Sequence, residues 1–314
     1  MRAFVFPGQG SQKIGMGRDL AETFAAARDV FNEIDDALGE KLSTLIFEGS
    51  DDDLRLTENT QPALMAVSLA VVRALEAEFG IRLADHGSFV AGHSLGEYAA
   101  LAAVGALPVA DTARLLRLRG RAMQSAVPVG EGAMAAVLGL SMEQVEAALK
   151  HVDAGLGACE IANDNAEGQV VISGAAAAVA AAGEAMKAAG AKRALPLPVS
   201  APFHCSMMQP AADAMAEALA GQAFAAPALP VVANVLAEAN SDPARVGELL
   251  VAQVTGRVRW RESVAWMAGQ GVTELVELGA GAVLAGLTKR IAPEVAAQSV
   301  GTADGLRSFA ESLA

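Results

Sequence analysis

Apolar residues recur along this chain at two spacings, and the alternation between them lays out the elements. Ala3-Phe4-Val5-Phe6 is a short continuous apolar run that reads as a strand, and Pro7-Gly8-Gln9-Gly10-Ser11-Gln12 reads as the loop after it. Helical spacing runs on through Leu38 and Leu42 to Phe47, a polar connection is expected from Asp51 to Asn59, and Leu64, Val67, Val71 and Leu75 mark one buried helical face between Gln61 and Phe79. A short apolar segment then ends at Gly92-His93-Ser94-Leu95-Gly96, with an Ala-rich helical segment behind it. Asp111 to Ser125 is a further helix, and Val127-Pro128-Val129-Gly130 reads as a linker.

The pattern changes after that linker. Strand (Ala133 to Leu138), helix (Ser141 to Val152), strand (Cys159 to Ala162), strand (Gln169 to Ile172), helix (Ala175 to Ala189) and strand (Ala194 to Val199) follow in a βαββαβ order, with Asn163-Asp164-Asn165 and Gly168 as the expected turn between the middle strands. That order is the ferredoxin-like unit, which closes on itself and suits an insertion. The chain then returns to a strand at Pro230 to Asn234, helices near Val246 to Val254 and Arg261 to Gly269, and a strand Glu274 to Leu278 ending in Gly279-Ala280-Gly281. The expected fold class is therefore α/β: a discontinuous large domain of residues 1–127 and 201–314, hydrolase-like with a mostly parallel sheet, carrying a ferredoxin-like subdomain at 128–200.

Composition narrows the setting. A chain of 314 residues buries a full core, and its 53% hydrophobic content is inflated by alanine without giving the roughly 18 uninterrupted apolar residues that a membrane span needs. The first residues lack the apolar segment and cleavage site of a signal peptide, so a cytoplasmic protein is expected. Cys159 and Cys205 lie far apart without metal-type spacing, which argues against a disulfide framework and against a metal site. The formal charge of -13 repels phosphate backbones, so nucleic acid is not the expected partner and any anionic ligand needs a local cation.

The chemistry centres on Ser94. A serine between Gly92 and Gly96, strand before and helix after, is the pattern of a nucleophile elbow, in which the turn is so tight that the flanking positions have no room for side chains. The alternative is an ordinary helix start. A serine nucleophile needs a proton acceptor, and four histidines are available. His86 precedes the strand that feeds the elbow, His93 is expected to pack under the turn, and His151 suits a helix C-terminus. His204, stiffened by Pro198 and Pro202 ahead of a helix at Ser206 to Leu219, is the candidate base, against a solvated helix-start histidine. A Cys205/His204 pair is disfavoured because neighbouring side chains diverge. No acid stands out as a third member, which departs from the order of an ordinary lipase or esterase.

Arg114, Arg117 and Arg121 share a face of the Asp111 to Ala126 helix and need only solvent. Stepping about 100° per residue puts Arg119 instead among Thr112, Leu115, Leu116, Ala122, Met123 and Ala126, on the face that packs inward. A guanidinium there needs an anion: either a buried Asp or Glu, or the carboxylate of a substrate, which its planar fork suits.

Phe6-Pro7-Gly8-Gln9-Gly10-Ser11-Gln12, Gly92-His93-Ser94-Leu95-Gly96-Glu97, Leu118-Arg119-Gly120 and Pro202-Phe203-His204, in this order, resemble the malonyl-CoA:acyl carrier protein transacylase family, over nearly the whole chain from about Ala3 to Leu287. The resemblance implies transfer of malonyl from coenzyme A to the phosphopantetheine thiol of an acyl carrier protein, for fatty-acid biosynthesis. It implies Ser94 as nucleophile and His204 as base in a dyad, the Gln253 carbonyl orienting the imidazole, an oxyanion hole of the Gln9 and Leu95 N–H groups, and Arg119 on the malonyl carboxylate. Leu95 with Phe203 resembles a pocket closed to an α-methyl branch, and Asn163 falls where the family's subdomain lines the cleft, though a plain turn residue is the equal reading. The glycine loop at Gly8 lacks the third glycine of a dinucleotide fingerprint.

No permanently bound cofactor is expected; the coenzyme A thioester is substrate and the carrier brings the phosphopantetheine. The expected partners are malonyl-CoA and the carrier protein, with neither membrane nor nucleic acid, and the enzyme is expected to be a monomer. Lys192-Arg193, Arg257-Arg259-Arg261 and Lys289-Arg290 are the candidate basic patches for an acidic carrier, with solvated surface the other reading. The alternatives are a thioester hydrolase of editing type, a malonyl acyltransferase of polyketide synthesis, and a non-catalytic carrier-binding subunit.

Overall fold

The structure, a computed structural model, describes residues 1–199 and 201–313; Ser200 and Ala314, which fall in the expected subdomain and large domain, lie outside the described residues. Among the described residues, ten strands form two sheets. Strands β1 (Arg2–Phe6), β2 (Phe89–Gly92), β3 (Gly132–Leu138), β4 (Cys159–Ala166), β5 (Gln169–Ala175), β6 (Arg193–Pro196), β7 (Val231–Ala233), β8 (Glu238–Asn240), β9 (Glu274–Leu278) and β10 (Ala296–Val300) are the strands among the described residues. The larger sheet has the order β10-β9-β1-β2-β7-β8, parallel throughout except for the β7–β8 pair at its edge.

Strand β1 lies in the middle of this sheet, covered on both faces, which is why its sequence is continuously apolar. Its alternate side chains feed two cores. Phe4 and Phe6 join the side that holds the Thr57–Phe79, Leu95–Ala103 and Val109–Ser125 helices, while Ala3 and Val5 pack with Trp260, Val264 and Leu284 on the other. The Thr57–Phe79 helix is buried on nearly every side, so an amphipathic stripe underestimates it.

The smaller sheet has the order β4-β5-β3-β6 with every neighbouring pair antiparallel, and the helices Met142–Leu149 and Ala176–Ala188 cover one face. This is the strand order of the ferredoxin-like unit, and with the mostly parallel larger sheet it establishes the expected α/β class.

Several local expectations change. The stretch Asp51 to Asn59 is not a plain connection: Ser50 caps a short helix, Asp51–Arg55, by accepting the Asp53 N–H, three aspartates favour its N-terminus, and the long helix begins at Thr57. Asn163, Asp164 and Asn165 are not turn residues but lie within β4, and the turn falls at Gly168 (φ +69). The Asp164 and Asn165 side chains answer to the larger unit, and Asn163 meets it through its backbone. Asn163 bridges to Val258, and the buried Asp164 carboxylate accepts from Arg261 Nε and lies 2.8 Å from its Nη2. Arg117 also departs from expectation, since it is buried and held by Glu40, Asn59 and the Glu58 carbonyl. The edge strands β8 and β10 have mixed polar sequences that carry no strand pattern of their own.

Arg261→Ala strands the Asp164 carboxylate in the seam between the two sheets. Loss of about 2 kcal/mol is expected in urea unfolding, discounted from a fully buried pair because Arg261 is partly solvated.

Candidate active site

The site is built at the carboxyl ends of β1, β2 and β7, where open parallel sheets present their binding crevices. Between β2 and the Leu95–Ala103 helix the chain turns at Ser94, at a positive φ outside the regions a side chain favours (φ 53, ψ -111). The flanking glycines are steric necessities. A Cβ on Gly92 would stand 1.9 Å from the Gly96 backbone, and one on Gly96 would stand 2.3 Å from the Phe6 carbonyl oxygen. The Ser94 N–H donates to Asn234 Oδ1 (2.7 Å), and Asn234 Nδ2 donates to the Gly92 carbonyl (2.7 Å), so one side chain ties both ends of the turn.

His204 comes to Ser94 from the far side, also at a positive φ (57). Its Nδ1 lies 2.9 Å from the Gln253 carbonyl oxygen and 3.2 Å from that of Gly256. Carbonyls only accept, so Nδ1 carries the proton and Nε2 is free to accept from Ser94 Oγ–H at 2.8 Å. Burial, reinforced by the positive charge of Arg119, pushes the imidazole down to about 3, so it is neutral at any ordinary working pH. His93 does not reach the hydroxyl; its Nε2 meets Asn165 Oδ1 at 2.9 Å. Burial raises the Cys205 thiol, and its Sγ donates to the Pro202 carbonyl.

Arg119 is 1% exposed. Its Nη1 donates to Gln61 Oε1 (2.7 Å), and its Nη2 donates to Gln253 Oε1 (2.9 Å) and Ser94 Oγ (3.2 Å), while its Nε–H has no partner. Among the described residues no carboxylate lies within ion-pair distance of it. Of the two sequence readings, the ion pair with a buried acid is therefore not what is built. Glu97 is buried nearby, but its Oε2 accepts from Gln253 Nε2 (2.7 Å) and from the Asn234 N–H (3.0 Å), and burial pushes its pKa up to about 7.

A cavity of about 110 Å³ brings the predicted residues together: Gln9, Ser94, Leu95, Arg119, Asn163, Phe203 and His204 all line it, with Gln253 fully buried behind. Gly8 explains how the Gln9 loop comes so near, since a Cβ there would meet the His93 carbonyl oxygen at 2.7 Å. Met123, Met134, Leu197 and Val199 make much of the remaining wall apolar. Glu97, Asn234, Gln61 and the Gln253 side chain carry no assignment from sequence; Glu97 alone had a signal, a carboxylate in a helix's first turn that an apolar wrap makes unusual. Among the described residues no cluster of ligating side chains fits a metal ion.

An α/β fold that holds a serine hydroxyl at a strand-to-helix elbow against a neutral histidine belongs to the class of serine-dependent acyl-transfer proteins. The chain is a member of the acyl transferase domain family, whose model matches residues 3–304. It is 46% identical to the malonyl CoA-acyl carrier protein transacylase of Bacillus subtilis over 92% of this chain and 90% of that one. The acyl-carrier-protein-S-malonyltransferase structure from Bartonella henselae superposes with a TM-score of 0.97 at 56% identity, each chain covered to 99%. A malonyl-transacylase solved in complex with a type II PKS acyl-carrier protein gives a TM-score of 0.95 at 45% identity, again covering 99% of both chains.

Gly92→Ala is expected to cost more than about 4 kcal/mol, or to prevent folding, because backbone and not a flexible side chain fills the space. Thermal unfolding of the purified variant checks it.

Proposed function

We propose that this acyltransferase moves the malonyl group from malonyl-CoA to the phosphopantetheine thiol of an acyl carrier protein, supplying fatty-acid synthesis, by way of a malonyl ester on Ser94. The observation that carries the reading is the buried Arg119 guanidinium, 3.2 Å from Ser94 Oγ and without a carboxylate of its own. It supports an acyl donor with a free carboxylate. The names of the relatives agree with this choice.

Ser94 Oγ attacks the thioester carbonyl as its proton passes to His204 Nε2, with the Gln253 carbonyl keeping the ring in its Nδ1–H tautomer. The N–H groups of Leu95 and Gln9, whose residues border the cavity beside the hydroxyl, receive the oxyanion. Collapse breaks the carbon–sulfur bond, and His204 returns the proton to the departing coenzyme A thiolate. The carrier's thiol then repeats the sequence in reverse. Phe203 and Leu95 bound the space around the acyl α-carbon, and Asn163 closes the wall on the side of the smaller sheet.

We take residues 128–200 as the subdomain that covers the cleft, and 1–127 with 201–314 as the large domain. The enzyme works as a cytoplasmic monomer with no resident cofactor; no helix among the described residues is long and apolar enough to cross a membrane. Of the basic patches, Arg257, Arg259 and Arg261 are committed to Glu262, Glu146 and Asp164. Among the described residues Lys192-Arg193 and Lys289-Arg290 carry no ion pair and remain for the carrier, although Arg290 donates to Gln169 Oε1 and to the Glu167 carbonyl.

Wild-type enzyme with malonyl-CoA and no acceptor is expected to accumulate a malonyl-Ser94 ester, seen by mass spectrometry and discharged by holo-carrier protein faster than by water. Rapid discharge by water identifies a hydrolase instead. Arg119→Ala is expected to lower malonyl over acetyl preference by about 10- to 100-fold, the worth of charge-assisted hydrogen bonds.

The neutral imidazole is the active form and its pKa is depressed, so the acid limb of kcat/KM falls well below the usual histidine value near 6.5. Arg119→Gln removes the largest depressing cause after burial, and moves that limb upward with acetyl-CoA as donor.

A further inference from the structure

Two supports of the site, one under Ser94 and one under Arg119, meet at a single carboxylate that no step of the reaction uses. Glu97 lies in the first turn of the helix that follows the elbow, 3% exposed. Its Oε2 accepts the Asn234 N–H, and the Asn234 side chain accepts the Ser94 N–H. The same oxygen accepts from Gln253 Nε2, which also donates to the Ser94 carbonyl (3.1 Å). Once both Gln253 amide hydrogens are spent on acceptors, its Oε1 has one direction left, toward Arg119 Nη2.

A carboxamide is nearly symmetric in shape, so packing alone does not distinguish its oxygen from its nitrogen. Hydrogen bonding does. Flipped, Gln253 would present an NH2 group to a guanidinium that can only donate, and its oxygen to Glu97 Oε2, which already accepts the Asn234 N–H, and to the Ser94 carbonyl oxygen, so that no donor would face it. We propose that Glu97 is a positioning residue for substrate selection: by accepting from Gln253 it fixes the carboxamide with its oxygen on Arg119, and thereby holds the guanidinium at the place where the acyl carboxylate arrives. Glu97 touches neither the hydroxyl nor the imidazole. Its effect reaches the Ser94 backbone through Asn234 and Gln253, and Arg119 through the Gln253 oxygen, and only the contact with Arg119 distinguishes a carboxylated acyl group from an uncarboxylated one. The inference rests on the malonyl-transfer reading above.

The test compares Ser94 acylation rates with malonyl-CoA and acetyl-CoA in Glu97→Leu, which removes the acceptor, and Glu97→Gln, which returns an oxygen to the same two donors. Glu97→Leu is expected to lower the malonyl-to-acetyl ratio at least tenfold, and Glu97→Gln to stay within threefold of wild type. If Glu97→Leu does not fold, Glu97→Asp, which withdraws the acceptor from Gln253 by one methylene, is expected to lose the ratio in its place. A ratio unchanged in the folded acceptor-deficient variant, a parallel fall of both rates, or equal losses in the Leu and Gln variants overturns the proposal. A wild-type enzyme that shows no malonyl preference overturns instead the functional reading on which it stands.

Discussion

Taking a guanidinium out of water costs several kcal/mol unless its charge and its N–H groups are met, and Arg119 is sealed in the protein with only uncharged acceptors around it. The surrounding residues are arranged to tolerate that charge without cancelling it. Two carboxamide oxygens take its fork ends, the Tyr98 ring lies 5.7 Å from its centre, and the nearest buried acid, Glu97, is turned onto neighbouring donors. The residual positive potential has two consequences at Ser94. It favours negative charge beside the hydroxyl, and it helps burial keep His204 unprotonated. On the proposed reading, a substrate carboxylate would complete the charge balance, and the cost of burying Arg119 would be recovered only when the fitting acyl group is bound.

The elbow supplies the second half of the geometry, and it depends on contacts between strand ends. The His93 N–H donates to the Phe6 carbonyl, Gly96 packs against Phe6, and Gly8 packs against His93, so the ends of β1 and β2 are locked before any side chain acts. Asn234, just past β7, then clamps the turn. Three adjacent parallel strands thus hold one strained serine, and the strain stays local because the backbone around it has no room to relax.

What the sequence disclosed follows from how local each signal is. The glycine bracket around Ser94 is a steric fact written in consecutive residues, and the inward place of Arg119 follows from helical period alone. His204 emerges as the base by weighing four histidines rather than from a local pattern, because its partner lies 110 positions away. Gln61 and Asn234 are hidden for a different reason: each acts through a contact set by tertiary packing, and nothing in its neighbourhood along the chain marks it, whereas Glu97 is marked only as a carboxylate in an apolar helix's first turn, with no hint of its partners. The same limit explains the misplaced turn at Asn163 to Asn165. Three polar residues in a row look like a loop until Val258 and Arg261 arrive from the other unit to pair with them.

Those pairings bear on how an ester on Ser94 could survive. The wall opposite the elbow includes Met134 and Leu197, where β3 and the segment leaving β6 face the cavity, and their apolar surface offers water no hydrogen bonds. Excluding water also strengthens the few polar interactions that remain, because fields between fixed charges are little screened in such a site. Position therefore matters more than affinity. The bridge from Asn163 to Val258 and the ion pair from Asp164 to Arg261 set β4 against the larger unit, so that the apolar wall stands at a fixed distance from Ser94. Hydrolysis and transfer demand the same nucleophile, base and oxyanion donors. What separates them in this molecule is whether the second attacking group is delivered along a cleft that small polar molecules have little reason to enter.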